Sequence, residues 1–346
     1  MNAVQYAQSN RIVELMRQPA EQRDAEWVRK ALQQAVLLEL ATLPPYLCGL
    51  WSINGTSGDA GQVSRTLREI VFDEMSHLGI ACNLLTTVGG TPRLADETLV
   101  PRYPGPLPGG VRPGLKVFLS GLTKKSVAMY ANIEEPDHPD TQAADPPYTS
   151  IGAFYTAILN ALCADPGLIT GHRQVTRDMT HHGSGNSLEK LKTLDAVKAA
   201  IRVIKEQGEG TSAPPPDPYP NQAAAASGEL PHYYAFREIL AKYFPDPPAP
   251  QLPVLPMGEV PAGGWPRTGA AADVIDLLDK SNRAYSEVLR LLEQAWQQED
   301  EDEATALLDK AVQKMFALRS PARELMNRVV PGGGKNYGPE FRYTAP

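Results

Sequence analysis

The sequence predicts an all-α protein, a four-helix bundle with long proline-rich loops and two additional C-terminal helices. Three observations point there. Apolar residues recur in steps of three and four through several long blocks. Convincing alternating segments are few, the best strand candidate being LKVFL at 115–119. The 32 prolines among 346 residues cluster between the blocks, at 101–113 (PRYPGPLPGGVRP), 136–147, 214–220 (PPPDPYP) and 245–266, and so cut the chain into helices joined by long loops.

The first long block, 25–42, carries Val28, Leu32, Ala35, Glu39 and Thr42 on one stripe, and Pro44 with Pro45 is expected to break or kink it before 46–51. The second, 61–90, is the clearest helix. Its seam reads Val63, Leu67, Ile70, Glu74, His77, Ala81, Leu84 and Val88, and Gly89 and Gly90 stop it. The third, 150–163, sets Ile151, Phe154, Ile158 and Leu162 on one face. The fourth, 187–207, ends at IKEQGEG with Leu194, Val197 and Ile201 as its main stripe. PHYYAFREILAKYF then resumes a helix with His232, Phe236, Ile239 and Tyr243 in register, and two helices, 271–298 and 303–329, close the chain before a glycine-rich tail. We expect residues 20–245 to form the bundle and 246–346 a linker with a helical pair packed on it.

Composition narrows the function classes. With 42% apolar residues the chain can build a sizeable core, and a net charge of −7 without any long block of one sign argues against a nucleic-acid partner. No stretch approaches the apolar length of a membrane span, and the N-terminus lacks the apolar core of a signal peptide, so a soluble, cytoplasmic protein without a membrane partner is expected. Cys48, Cys82 and Cys163 are odd in number and show no CxxC pair, which fits small buried hydrophobes rather than disulfides or a zinc ribbon.

Two polar interruptions of apolar seams carry the chemistry. Carboxylates are almost never fully buried without a partner, because losing their hydration costs several kcal/mol. Glu39 and Glu74 therefore require a counter-charge. Glutamate and histidine at i and i+3 share a helical face, so DEMSH directs Glu74 and His77 toward one ion, the ligand pattern of carboxylate-bridged di-iron and di-manganese bundles. A single Glu-x-x-His recurs by chance in many helices; here both residues fall on the seam, an earlier helix supplies Glu39, and Glu206, Glu209 and His232 follow at a helix break. His181 and His182 lie in a glycine-bounded loop and read as solvent-facing, while Glu134 and Glu135, in NIEEPDHPD, read as a structural loop or strand end.

LLELATLPPYLCGLWSI, DEMSHLGIACNLLTTVGGTP, SIGAFYTAI, IKEQGEG and HYYAF, in that order, resemble the ferritin-like domain family that includes the violacein-pathway iminophenyl-pyruvate dimer synthase and its bacterial relatives. The similarity spans roughly residues 25 to 245, and the tail GPEF is similar to a family ending. The resemblance implies a ferritin-like bundle with Glu39, Glu74 and His77 as metal ligands and Glu206, Glu209 and His232 as candidates for the rest. The family usually has a glutamate where this chain has Ala153. That departure leaves three outcomes: a rebuilt two-metal site, a single metal, or a fold that has lost its chemistry.

The function expected from these residues is a non-haem metal-dependent oxidoreductase or oxygenase acting in specialised bacterial metabolism, with iron, one or two ions, or manganese as cofactor. Its partners would be a small-molecule, amino-acid-derived substrate, dioxygen, and a second copy of the chain in a homodimer. Tyr46 and Tyr155 are candidate catalytic residues, and Tyr233 and Tyr234 candidate pocket walls. The loops at 91–149 and 208–230 are expected to cover the mouth. The alternatives are coupling of two amino-acid-derived imines, for which Arg173 and Arg177 would hold the carboxylates, and a metal-binding scaffold without turnover.

Overall fold

A computed structural model of the chain describes residues 11–136, 150–180, 185–208, 230–245 and 252–345. A short helix α1 (Arg11–Met16) precedes α2 (Ala25–Ser52), which Asp24 caps by accepting the Trp27 amide at 2.9 Å. α3 (Gly58–Thr87) lies against α2 along its length. Every residue of the expected α2 stripe and α3 seam is buried, so the step of three and four reported the inward faces correctly.

Pro44 and Pro45 do not end α2 as expected; the helix runs on to Ser52. Pro45 lacks the N–H that the Ala41 carbonyl would normally receive, and the Tyr103 hydroxyl donates to that carbonyl instead at 2.7 Å. The Tyr130 hydroxyl donates in turn to the Pro45 carbonyl at 2.7 Å. A long loop thus repairs the helix it covers.

The other half of the bundle comes in four short helices. α4 (Lys124–Ile133), opened by a Thr123–Ser126 capping box, and α5 (Ile151–Ala164), capped by Ser150, pack on α2. α6 (Leu194–Gly208) and α7 (His232–Tyr243) pack on α3, while α4 pairs with α7 and α5 with α6. The third and fourth members of the bundle are therefore each delivered in two pieces. The end of α4, the start of α5, the end of α6 and the start of α7 meet at one level, opposite the middle of α2 and α3.

Several expected boundaries move. The block at 187–207 is helical only from Leu194: Ser187–Leu188 (β2) pairs antiparallel with Arg177–Asp178 (β1), and side chains of α3 hold the intervening backbone. Asn83 donates to the Glu189 carbonyl at 3.2 Å and Thr87 to that of Leu191 at 2.5 Å. LKVFL is not a strand, contributing only a bridge from Val117 to Gly105. The C-terminal region holds three helices, α8 (Ala272–Ala295), α9 (Glu301–Ala317) and α10 (Arg319–Met326); the expected 303–329 helix divides near Leu318 because Pro321 has no N–H for the Ala317 carbonyl.

One hydrophobic core runs from Ile12 to Phe341 and includes both the bundle and the C-terminal helices. Trp296 ties them by donating to Asn83 of α3 at 2.8 Å. Among the described residues, α2 alone is long and apolar enough to cross a membrane, and it is buried inside this core. Cys48 and Cys82 are buried as expected, whereas Cys163 is exposed near the end of α5.

Candidate metal centre

Where the four short helices meet, five metal-ligating side chains converge: Glu39 from α2, Glu74 and His77 from α3, Glu134 at the end of α4, and His232 at the start of α7. Each is at most 4% exposed. They form two groups of three, Glu39 with Glu74 and His77, and Glu74 with Glu134 and His232; within each group one ligand atom per residue lies within 4.8 Å of the others. Glu74 belongs to both.

A surrounding layer orients this cluster. The Tyr155 hydroxyl donates to Glu39 Oε1 at 2.5 Å, Tyr46 to Glu134 Oε1 at 2.6 Å, and Thr42 to Glu74 Oε2 at 2.7 Å. Each carboxylate thus has one oxygen tied by a hydroxyl, leaving the second for another partner. His77 Nε2 lies 2.9 Å from Gln207 Oε1, which also accepts from Asn186 at 2.8 Å, so the ring proton sits on Nε2 and Nδ1 turns inward, 3.5 Å from Glu74 Oε1. His232 Nε2 faces Asp73 Oδ2 at 3.2 Å, and the Gly185 amide fixes the other Asp73 oxygen at 2.7 Å. Histidines that bind metals almost always spend their outer nitrogen this way.

The residues fit a cation. His232 Nδ1 is buried and stands 2.9 Å from Glu74 Oε1, yet it lacks the alignment for a hydrogen bond and has no other partner. A buried imidazole nitrogen set against a carboxylate oxygen without hydrogen-bond geometry is an arrangement that a shared cation would satisfy. Glu39, Glu74, His77, Glu134, Thr42 and Tyr155 also line a cavity of about 20 Å³, the size of an ion or a water rather than an organic molecule.

Electrostatics point the same way. Burial, reinforced by the Glu74 charge, pushes Glu39 up to about 8 and Glu134 up to about 7. Burial pushes Glu74 up as well, but His232 and His77 outweigh it and hold Glu74 well below the usual carboxylate range. Burial alone would lower both imidazoles; Glu74 raises His77 to about 9, and Asp73 with Glu74 raises His232 well above its ordinary value. Glu39 and Glu134 are therefore pushed toward their protonated forms while protons on the two imidazoles neutralise Glu74, and a divalent cation would serve the same end by displacing those protons.

Of the residues expected from sequence, Glu39, Glu74, His77 and His232 come together. Glu206 does not: it is partly exposed on α6, and Gln207, one residue and about 100° further round the helix, faces His77 instead. Glu209, His181 and His182 lie outside the described residues, as do 137–149 and 209–229 of the two loops expected to cover the mouth, and the first of those loops contains α4. Tyr46 and Tyr155 reach the cluster through its carboxylates, whereas Tyr233 and Tyr234 stack edge-on against each other and do not line the cavity. Ala153 is not among the lining residues either; Gly152 and Tyr155, which share a helical face, occupy that wall. Arg173 binds the Gly90 carbonyl and Thr91, and Arg177 pairs with Asp309 at 3.0 Å, so neither serves the cluster.

Sequence reasoning missed Glu134, taking it for a loop residue; it is the buried C-cap of α4. Glu135, by contrast, is structural as expected, paired with Arg112 at 3.0 Å.

With this geometry in hand, comparison with known proteins places the chain. A family model described as Ferritin-like matches residues 32–241, more than half of the sequence. The chain belongs to the ferritin-like family. The matched region of this ferritin-like protein contains all five clustered residues. Among solved structures, a ferritin-like protein from Caulobacter vibrioides is similar at 18% identity, with 92% of this chain and 97% of that one covered and a TM-score of 0.57, a likeness of fold. No curated protein matches.

Proposed function

We propose that this ferritin-like protein is a non-haem metal-dependent oxidoreductase, with iron as its metal, acting on a small organic acid. The observation that carries this reading is the pair of buried three-ligand groups sharing Glu74. Three carboxylates and two imidazoles are the donor set of carboxylate-rich dinuclear centres in bundles, short of one carboxylate. Glu39, His77, Glu134 and His232 would each serve one ion, and Glu74 would serve both. Iron held there supplies dioxygen activation and electron transfer, as it does in other sites rich in oxygen ligands with open positions.

The chain's own residues do the rest. Asp73 and Gln207 hold the two imidazoles with Nδ1 inward. Burial, followed by the adjacent carboxylates, raises Tyr46 and Tyr155 well above the ordinary phenol value, so both keep their protons on Oη and steady Glu134 and Glu39 as donors. The cavity is ion-sized and is also lined by Gly152, Lys205 and Gly208, so an organic substrate would meet it beside these residues. Gly208 lets its backbone approach Glu134 closely, since a Cβ there would stand 3.1 Å from Glu134 Oε2. Lys205, whose ammonium donates to Thr156 at 2.7 Å, offers a positive charge to a carboxylate, which favours an amino-acid-derived acid as substrate.

The imine-coupling alternative loses its expected anchors, because Arg173 and Arg177 are used elsewhere. The reading is tested by loading the purified chain with ferrous iron and following dioxygen uptake against a panel of amino-acid-derived acids. Uptake that depends on both iron and acid, and vanishes in Glu74→Ala, is expected. Bound iron with no acid-dependent uptake makes the chain a metal-binding scaffold and overturns the proposal.

A further inference from the structure

A cleft of about 620 Å³ opens between α2–α3 and α9–α10, and its lining shares no residue with the metal cavity. On α3 it follows Gly61, Ser64, Arg68, Val71 and Met75, a stripe rotated away from the Ile70, Glu74, His77 seam. Its volume lies within the range of small-molecule sites. The lining is mixed, with Asn54, Thr56 and Ser64 beside an aromatic side made by Trp51 of α2, Phe72 of α3, and Phe316 of α9, whose ring centre is 6.3 Å from that of Phe72. Phe316 is 56% exposed, although large apolar side chains in this protein are otherwise mostly buried.

The rim is cationic. Arg68, Arg319 and Arg323 border the cleft, and among the described residues no aspartate or glutamate does. Arg323 is fixed by the Trp51 and Ile53 carbonyls at 2.7 and 2.9 Å and by Asn54 at 3.2 Å, all uncharged groups that leave its charge unneutralised. Neither Arg68 nor Arg319 forms an ion pair with a described residue. Three guanidiniums around one cleft without a carboxylate partner among the described residues stand out in a chain of net charge −7. Below the trough, Leu47, Met75 and Met315 also line a second, almost wholly apolar pocket of about 50 Å³ that reaches toward Trp296. Two of those three dividing side chains are methionines, the most adaptable of core residues.

We propose that this cleft binds a free amphipathic carboxylate, its alkyl or aryl body lying between Trp51, Phe72 and Phe316 and its head held by Arg68, Arg319 and Arg323. The aromatic walls match the body, the arginine rim matches the head, and the methionine-lined floor gives a flexible tail depth. The site goes beyond the redox reading and stands independently of it.

Dodecanoate is a suitable probe, titrated calorimetrically into the full chain below its micelle concentration. Saturable binding of one dodecanoate per chain is expected, weakening with ionic strength. Losing two charge-assisted contacts in Arg68→Ala/Arg319→Ala should weaken it by on the order of tenfold or more, and Arg68→Lys/Arg319→Lys should recover most of that loss. Both arginines are exposed, so the variants should melt with the wild type. The proposal is overturned if dodecanoate shows no saturable binding, if dodecyltrimethylammonium binds as well, or if the alanine pair binds as tightly as the wild type. Arginine-dependent sedimentation with anionic phospholipid vesicles, without binding of free dodecanoate, would also overturn it by assigning the rim to a membrane.

Discussion

At the scale of single residues, the centre depends on rotation around helices. Glu39, Glu74, His77 and His232 were legible because each interrupts an apolar seam, and a buried charge on a seam demands a partner. Glu134 was not legible: NIEEPDHPD has the composition of a solvated loop, and only the end of α4 turns its first glutamate inward. Glu206 misled because a neighbouring glutamine does the inward work. The same geometry yields two expectations. Ala153→Glu should leave the bound-metal count unchanged, since that position does not line the cavity; a gain of one ion, measured by elemental analysis, would contradict this wall assignment. Asp73→Asn, which weakens the grip on His232 without changing shape, should lower metal affinity by about 10- to 100-fold in a competitive chelator titration.

At the scale of elements, α2 is the scaffold that makes the site possible. Its two prolines would ordinarily end a helix, and sequence alone suggested that they do; the repair comes from Tyr103, distant in sequence, which no local pattern could reveal. Tyr103→Phe should therefore cost ~1–2 kcal/mol in denaturant unfolding by orphaning the buried Ala41 carbonyl. Gly49 lies one turn further along, where a Cβ would stand 2.7 Å from the Tyr130 hydroxyl. Glycine to alanine inside a helix normally gains about 1 kcal/mol. Here Tyr130 is held by its bond to Pro45 and cannot retreat, so Gly49→Ala should lower the melting temperature; a rise would show that α4 yields easily. The break between α6 and α7 was legible from its glycines and prolines, whereas α4 was not: it lies inside 91–149, which reads in sequence as one long loop. The meeting of the four short helices at one level is a property of the fold.

At the scale of the whole molecule, the C-terminal region is part of the core. The conspicuous joint is Glu340, a buried carboxylate in the tail that accepts from the Trp265 amide at 2.5 Å, Arg267 at 2.8 and 2.9 Å, and Asn282 at 2.7 Å. Burial opposes its ionisation, but Arg267, Asn282 and the Trp265 amide more than offset this and hold it below the ordinary value of 4.5. Because the folded value is depressed, the stability it contributes is present above about 4.5 and is lost as pH falls through the lower folded value. The gap in stability between wild type and Glu340→Gln should thus be constant near neutrality and close below that pH; a gap that persists into acid would show that the Glu340 charge is not what fastens the tail.

The redox reading rests on a cation being shared by the interior carboxylates and imidazoles. Elemental analysis of the purified chain beside Glu74→Ala tests that most directly. Bound metal in the wild type, up to two ions per chain and lost in the variant, is what two ligand groups sharing one glutamate predict; a wild type that retains no metal, or a variant that retains as much, would contradict it.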